Sequence, residues 1–202
     1  MVKLVLVRHG ESIWNKENKF TGWIDVELSE RGIEEAHECA KKLKDFQFDI
    51  ADTSVLKRAI DTLLIIINDN KWLTLPIVKD EAINERMYGD LQGRNKDELR
   101  KEVGKEQVHI WRRSYDVAPP NGESLKDTAN RSIPYFKDTI LKDLENGKNV
   151  LVSAHGNSLR AIVMYLENIS EQDIPNLNIP TGVPYIYDID KDGKIIKKEI
   201  LN

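Results

Sequence analysis

Cysteines, long apolar runs and linker-like stretches are nearly or wholly missing from this 202-residue sequence. Cys39 is the single cysteine, which excludes an intrachain disulfide and is typical of a reducing compartment. The longest apolar runs are Leu63–Ile67 and Ala161–Leu166, far short of the roughly 20 residues that a membrane-spanning helix needs. Because no Gly-, Ser- or Pro-rich tract divides the chain, we expect one domain over residues 1–202.

Several functional signatures are also missing. Leu4–Val7 is followed at once by Arg8, so the N-terminus lacks the hydrophobic region of a secretory signal. The formal net charge of -4 argues against a general attraction to nucleic acid or anionic lipid. Phosphate-binding glycine loops, the dinucleotide-binding glycine motif and zinc-ligand spacings do not occur. We therefore expect a cytoplasmic protein with no nucleic-acid or membrane partner, in which any anion site is local.

Short β-rich runs alternate with runs of helical period, the pattern of a largely parallel sheet covered by helices. The short loop Asp190–Gly193 joins the last two β-rich runs, so the last strand should be antiparallel to its neighbour. We predict an α/β three-layer sandwich: a mostly parallel central sheet with one antiparallel strand and helices on both faces. The predicted strands are 3–7, 48–52, 75–79, 149–153, 183–189 and 194–200, and the predicted helices are 30–44, 57–68, 96–102, 105–113, 124–145 with a bend at Pro134, and 158–167.

Two segments share one design, in which an apolar strand leads into His-Gly and a polar loop. The histidines are His9 and His155, and Gly10 and Gly156 follow them. In open α/β sheets the ligand crevice lies at the carboxyl ends of the strands, so both imidazoles should reach one pocket. Glycine removes a side chain where backbone and ligand must approach closely. The repeated context favours a functional site over two unrelated structural histidines.

Basic residues near these segments indicate the ligand. Arginine binds phosphate oxygens through two parallel hydrogen bonds, and several such groups in one cleft would neutralise a phosphoryl group. Glu85 lies in the irregular segment 81–93, where a carboxylate could exchange a proton with a hydroxyl under attack. The candidate anion-binding residues are Arg8, Arg58, Lys96, Arg112 and Arg113.

The motif Arg8–Ser12 together with the later His155-Gly156 resembles the histidine phosphatase superfamily, and its phosphoglycerate mutase branch looks closest. The agreement extends from residue 1 to about residue 192. Its further motifs are Asn15, Phe20–Trp23, Ser54–Ala59, Asn84–Gly93, Asn95-Lys96, Trp111–Arg113 and Ala154–Ser158.

This resemblance implies an isomerase that interconverts 3-phosphoglycerate and 2-phosphoglycerate in glycolysis and gluconeogenesis. It implies that His9 becomes phosphorylated from a 2,3-bisphosphoglycerate primer, without a metal, while Glu85 exchanges the proton. The implied partners are small phosphoglycerates. Arg8, Arg58 and His155 would hold the phosphoryl oxygens, and the other implied substrate-binding residues are Asn15, Thr21, Gly22, Tyr88, Lys96, Arg112, Arg113, Gly156 and Asn157.

Two departures from the family pattern concern assembly and closure of the site. Pro119-Pro120 leads almost directly into the helix capped by Ser124, without the longer insertion that the family often has, and the chain ends at Asn202 without a C-terminal tail. We expect a monomer or homodimer rather than a tetramer, and more frequent hydrolysis of the phosphohistidine.

Three alternatives remain open on the sequence. A phosphatase of the same superfamily would pass the phosphoryl group to water, and would not need Lys96, Arg112 and Arg113. A metal oxygenase would use His9, His155 and Glu85 as iron ligands. A catalytically silent module that binds a phosphorylated ligand would give no reason for the histidines and Glu85 to occur together.

Overall fold

The computed structural model describes residues 1–202 and is built around one six-stranded sheet with the strand order β3-β2-β4-β1-β5-β6. Strands β1, β2, β3 and β4 pair in parallel, whereas β1 with β5 and β5 with β6 are antiparallel pairs. Thus β5 is the strand that runs against the other five, and the predicted sheet is confirmed. The strands are β1 (Val2–Arg8), β2 (Ile50–Thr53), β3 (Ile77–Lys79), β4 (Val150–Ala154), β5 (Tyr185–Ile189) and β6 (Ile195–Ile200).

Helices cover both faces of this sheet. Along β1 the buried side chains alternate, because successive residues of a strand point to opposite faces. On one face, Leu4 and Leu6 pack in a core cluster with Phe136 and Ile162. On the other face, Val5 packs in a second cluster with Ala40 and Leu63, which belong to two other helices. The helices are α1 (Ile13–Lys16), α2 (Glu30–Lys42), α3 (Lys57–Asn70), α4 (Lys96–Val103), α5 (Lys105–Arg113), α6 (Leu125–Tyr135), α7 (Leu141–Glu145) and α8 (Gly156–Glu167).

The core also contains Cys39, which is fully buried beside α3. Burial raises the pKa of its thiol to about 12, so the side chain behaves as a small apolar group. None of the helices combines the length and apolarity needed to cross a bilayer.

The long helix expected over 124–145 is helical throughout but contains one π-helical turn. It begins with the expected capping box, in which Ser124 and Asp127 exchange hydrogen bonds. After Pro134 the chain forms a π-helical turn at Phe136–Ile140 before α7 continues. Proline lacks an N–H and its ring crowds the preceding turn, which is why a bend was expected at Pro134; the π-helical turn lies just after that residue.

Candidate active site

The two histidines meet at the carboxyl ends of neighbouring parallel strands. Arg8 on β1 pairs with Ala154 on β4, which places the next residues of both strands side by side. The backbone N–H of His9 donates to the Ala154 carbonyl at 3.0 Å. As a result, the imidazole centres of His9 and His155 lie 5.0 Å apart, with ring planes inclined by 59°.

The backbone sets the orientation of the His9 ring. Its Nδ1 lies 2.6 Å from the carbonyl oxygen of Gly10, and a carbonyl can only accept, so Nδ1 carries the hydrogen. The lone pair is therefore left on Nε2. Burial, and then the charges of Arg58 and Arg8, hold the pKa of His9 well below 6.5. A neutral imidazole with a free Nε2 can act as a nucleophile near neutral pH.

His155 is fully buried behind His9. Its Nε2 lies 2.6 Å from the Ser54 hydroxyl, at the end of β2. Burial, followed by the charges of Arg58 and His9, lowers the pKa of His155 well below its ordinary 6.5. His155 is consequently also neutral at neutral pH, and it packs against the ring of His9.

Glu85 is held by N–H donors on one carboxylate oxygen. Its Oε1 accepts from the backbone N–H of Arg86 at 2.8 Å, from the backbone N–H of Asn157 at 3.1 Å and from the Asn157 side-chain amide at 3.0 Å. Its Oε2 would lie 3.7 Å from a Cβ added to Gly156, and the Arg8 guanidinium would lie 3.4 Å from that same position. Glu85 and Arg8 therefore both lie close to the Cα of Gly156, which carries no side chain that could separate them from the backbone.

Hydrogen bonds from Arg131 and Trp23 hold the backbone of the segment around Glu85 in place. The Arg131 guanidinium forms two parallel hydrogen bonds to Glu123, of 3.0 and 2.8 Å, and donates to the Glu85 carbonyl at 2.8 Å. Trp23 Nε1 donates to the same carbonyl at 2.6 Å. These contacts explain how a stretch of loop between two short 3-10 turns, Glu81–Ile83 and Gly89–Leu91, can present a carboxylate in a defined position.

Arg58 connects the start of α3 to the segment that follows Phe20. It is 1% exposed and donates to the carbonyls of Gly22 at 2.7 Å and Ile24 at 3.1 Å. Burial lowers the pKa of Arg58 to about 10 and that of Lys96 to about 8; at Lys96 the charges of Arg112 and Arg8 add to the effect. Cations desolvated in this way gain strongly from an anionic ligand.

These groups line one cavity whose charge is opposite to that of the whole chain. Seven arginine and lysine side chains face a single carboxylate, Glu85, although the formal net charge of the chain is -4. Positive charge is therefore concentrated locally, at the place where the sequence predicts an anion site. The lining residues are Arg8, His9, Asn15, Lys19, Phe20, Thr21, Gly22, Arg58, Glu85, Tyr88, Lys96, Arg112, Arg113, Gly156, Asn157, Arg160, Asn178 and Ile179.

A metal site does not fit this arrangement. No three His, Cys, Asp or Glu side chains come together in a way that could hold a metal ion. His9, His155 and Glu85 thus do not form the iron-binding set that an oxygenase requires.

The sequence matches the histidine phosphatase superfamily (branch 1) over residues 4–200. The chain belongs to this superfamily. It is 55% identical to a phosphoglycerate mutase of Schizosaccharomyces pombe over 98% of this chain and 95% of the relative. It is 50% identical to a 2,3-bisphosphoglycerate-dependent phosphoglycerate mutase of Lachnoclostridium phytofermentans, over 99% of this chain and 91% of the relative. Among solved structures, a mycobacterial glucosyl-3-phosphoglycerate phosphatase in complex with VO3 superposes with a TM-score of 0.84 at 26% identity, covering 99% and 97% of the two chains.

Every site residue expected from the superfamily resemblance lines the cavity except His155, which lies directly beneath it. Sequence reasoning missed five lining residues: Lys19, Phe20, Arg160, Asn178 and Ile179. Phe20 was part of a recognised motif but was not singled out. Its ring packs against that of Tyr88 in a tilted arrangement, with ring centres 5.0 Å apart and planes inclined by 55°, and the Lys96 ammonium lies 5.5 Å from its centre.

Proposed function

We propose that His9 carries the phosphoryl group when this chain interconverts 3-phosphoglycerate and 2-phosphoglycerate, as a 2,3-bisphosphoglycerate-dependent phosphoglycerate mutase of glycolysis and gluconeogenesis. The chemical activity rests on an identity of 55% to a phosphoglycerate mutase and of 50% to a 2,3-bisphosphoglycerate-dependent phosphoglycerate mutase, each over nearly the whole chain. The observation that most directly supports the role of His9 is its free Nε2, aimed from a strand end into a cavity lined by seven cations.

In the priming step, Nε2 of His9 attacks a phosphorus of 2,3-bisphosphoglycerate and the bond from phosphorus to the substrate oxygen breaks. The leaving oxygen keeps the electron pair and takes a proton from Glu85. Arg8 and Arg58, which line the cavity, stabilise the phosphoryl oxygens. The superfamily resemblance also implies a contact from His155, whose Nε2 lies at the Ser54 hydroxyl, so its unpartnered Nδ1 would have to make that contact. Phosphoryl transfer needs mainly alignment and fixed positive donors, because charge spreads over the equatorial oxygens in the transition state.

In the return step, Glu85 takes the proton from the free hydroxyl of a bound phosphoglycerate, and that oxygen attacks the phosphohistidine. The bond from Nε2 to phosphorus breaks and 2,3-bisphosphoglycerate forms again. Attack on its other phosphate then releases the isomeric product. Two transfers through a covalent histidine replace one difficult migration between hydroxyls.

The rest of the cavity suits the second anionic group of this substrate. Lys96, Arg112 and Arg113 line the same cavity as His9, and would hold the carboxylate and the phosphate that does not react. Asn15, Thr21, Gly22, Tyr88 and Asn157 would supply the remaining contacts. A phosphatase that passes the phosphoryl group to water has no need of so many cations.

Phosphatase activity is the second candidate. The solved structures that this chain resembles include a glucosyl-3-phosphoglycerate phosphatase, at a lower identity of 26%. The two activities share the phosphohistidine and differ in the acceptor, so we propose the phosphatase reaction as a minor activity of the same site.

We propose that no metal takes part, because the cations of the cavity replace a divalent ion in neutralising phosphate. Turnover should be unchanged after incubation with EDTA. Loss of activity that added Mg²⁺ or Mn²⁺ restores would contradict this.

The function is tested by assaying the conversion of 3-phosphoglycerate with and without added 2,3-bisphosphoglycerate. Conversion that depends on the bisphosphate is expected, and Glu85→Gln should lower turnover by about 10²–10⁴-fold, the usual contribution of general acid-base catalysis. Release of inorganic phosphate without isomerisation would favour the phosphatase instead.

A further inference from the structure

Arg160 is a buried cation that lines the cavity but has been given no contact with a substrate group. It lies on α8, one helical turn after Asn157, and is 4% exposed. Its two hydrogen bonds go to neutral acceptors: the Asn157 side-chain oxygen at 3.0 Å and the Ile174 carbonyl at 2.8 Å. No carboxylate pairs with it, and burial lowers its pKa to about 10.

Burying a guanidinium without an anionic partner is costly, and an apolar side chain of similar volume would fill the space more favourably. Besides its charge, the guanidinium supplies N–H donors to neighbouring groups. The Asn157 amide is one of the groups that receive them.

Arg160 selects one orientation of that amide. The oxygen and nitrogen of a side-chain amide are nearly alike in shape, so only their hydrogen-bond partners decide which way the amide faces. A guanidinium can only donate, which turns the Asn157 oxygen towards Arg160. The Asn157 nitrogen then faces two oxygens, Oε1 of Glu85 at 3.0 Å and the Tyr88 hydroxyl at 3.2 Å.

We infer that Arg160 is a positioning residue that acts through Asn157 on the Glu85 carboxylate. Its anchor on the Ile174 carbonyl fixes the guanidinium, the guanidinium fixes the amide, and the amide holds Oε1 so that Oε2 is available for the proton. In the reverse orientation the amide oxygen would face Oε1 and repel it. This inference rests on the proposed role of Glu85 as the proton donor.

Two phosphoryl donors with different leaving groups distinguish a positioning role of Arg160 from a role in binding the anionic substrate. Phosphorylation of His9 by 2,3-bisphosphoglycerate expels an alkoxide, which needs a proton. Phosphorylation by p-nitrophenyl phosphate expels a stable phenolate, which does not.

Arg160→Met should lower the rate of His9 phosphorylation by 2,3-bisphosphoglycerate by up to about 10²-fold, since a displacement of about 1 Å can cost that much. The rate with p-nitrophenyl phosphate should change much less, and Arg160→Lys, which keeps one donor, should recover part of the loss.

A double-mutant cycle tests the route through Asn157. If Arg160 acts through that amide, Arg160→Met should have little further effect in an Asn157→Ala background. Arg31 provides the matched control, because its side chain is 73% exposed and Arg31→Met should leave both rates unchanged. Circular dichroism spectra and melting curves identify a variant that has failed to fold, and Arg160→Lys then replaces Arg160→Met in the cycle.

Glu85→Gln serves as the reference variant. If Glu85→Gln loses the reaction with 2,3-bisphosphoglycerate selectively but the Arg160 variants lose both reactions equally or neither, the inference about Arg160 is wrong and the role of Glu85 stands. If Glu85→Gln slows the reactions with 2,3-bisphosphoglycerate and with p-nitrophenyl phosphate equally, Glu85 is not the proton donor. The inference about Arg160, which rests on that role, is then wrong as well. Selective loss in both, with non-additivity at Asn157, is the result we expect.

Discussion

At the scale of single residues, the site depends on histidines kept neutral by burial among cations. The pKa values of His9 and His155 are both held well below 6.5, with burial as the largest cause. In the unfolded chain the same side chains take up protons near their ordinary value. The unfolded state therefore binds more protons than the folded state as the pH falls below about 6.5.

Because the unfolded state binds more protons, acidification below pH 6.5 should destabilise the folded protein. The contribution of the two histidines is fully present above pH 6.5 and is lost as the pH falls below it. The melting temperature of the wild type should therefore fall more steeply between pH 7 and pH 5 than that of His155→Gln, which keeps only His9 as a buried histidine with a lowered pKa. His109→Gln, at an exposed position, is the control and should follow the wild type. Parallel curves for the wild type and His155→Gln would contradict the account.

The site residues that sequence analysis missed differ in whether a signal existed. Arg160 lies three positions after Asn157 on a helix, so helical spacing places both on one face and could have identified it. Asn178 and Ile179 reach the cavity because the chain after α8 returns to β1, where the Arg8 guanidinium donates to the Ile179 carbonyl at 2.9 Å. That return is a tertiary contact with no local sequence pattern.

At the scale of elements, helix α2 packs directly against the loop that carries His9. A Cβ on Gly32, in the first turn of α2, would collide with the backbone carbonyl of Glu11, and a Cβ on Gly10 would collide with the carbonyl of Gly32. The two glycines permit this close contact between a helix and the end of β1. The position of the nucleophile thus depends on the packing of a helix that supplies no catalytic side chain.

Gly32→Ala should therefore affect both stability and catalysis. Backbone atoms have little freedom to move, so we expect a destabilisation of about 1–3 kcal/mol, the usual effect of overpacking, in urea unfolding. Turnover should fall as well, since the strain is relieved by moving the residues next to His9. Arg31→Ala, one residue earlier and exposed, is the control for helix propensity. Unchanged stability and turnover in Gly32→Ala would show that the packing is not tight.

The strands and the longer helices were predicted, whereas a four-residue helix and a π-helical turn were not. The helix Lys105–Arg113 was predicted with the observed bounds. The four-residue helix α1 was missed, because it is held by a capping box between Ser12 and Asn15 rather than by an apolar face. The π-helical turn after Pro134 was expected only as a bend, since its form depends on how Phe136 and Ile140 pack in the core.

At the scale of the whole molecule, the chain is shorter than some mutases of the superfamily. The alignment with the Lachnoclostridium phytofermentans relative spans 227 positions against the 202 residues of this chain, whereas that with the Schizosaccharomyces pombe relative spans 201. If the family insertion after Pro119-Pro120 contributes to subunit contacts, its absence from this chain removes that surface.

We therefore predict a monomer or homodimer in solution. A stable interface covers about 1,200–2,000 Å² in total, and a missing insertion removes candidate contacts. Light scattering across a range of protein concentrations should give a mass of one or two chains, 23.2 kDa for each chain. A stable tetramer would contradict this prediction.

The central claim is that His9 carries the phosphoryl group, and labelling tests it most directly. The enzyme is incubated with ³²P-labelled 2,3-bisphosphoglycerate, quenched and digested, and the label is located by mass spectrometry in parallel with a folded His9→Ala variant. We expect an acid-labile, alkali-stable label on His9, chased off by unlabelled 3-phosphoglycerate and absent from the variant. A stable label in His9→Ala, or label on another residue of the wild type, would contradict the account.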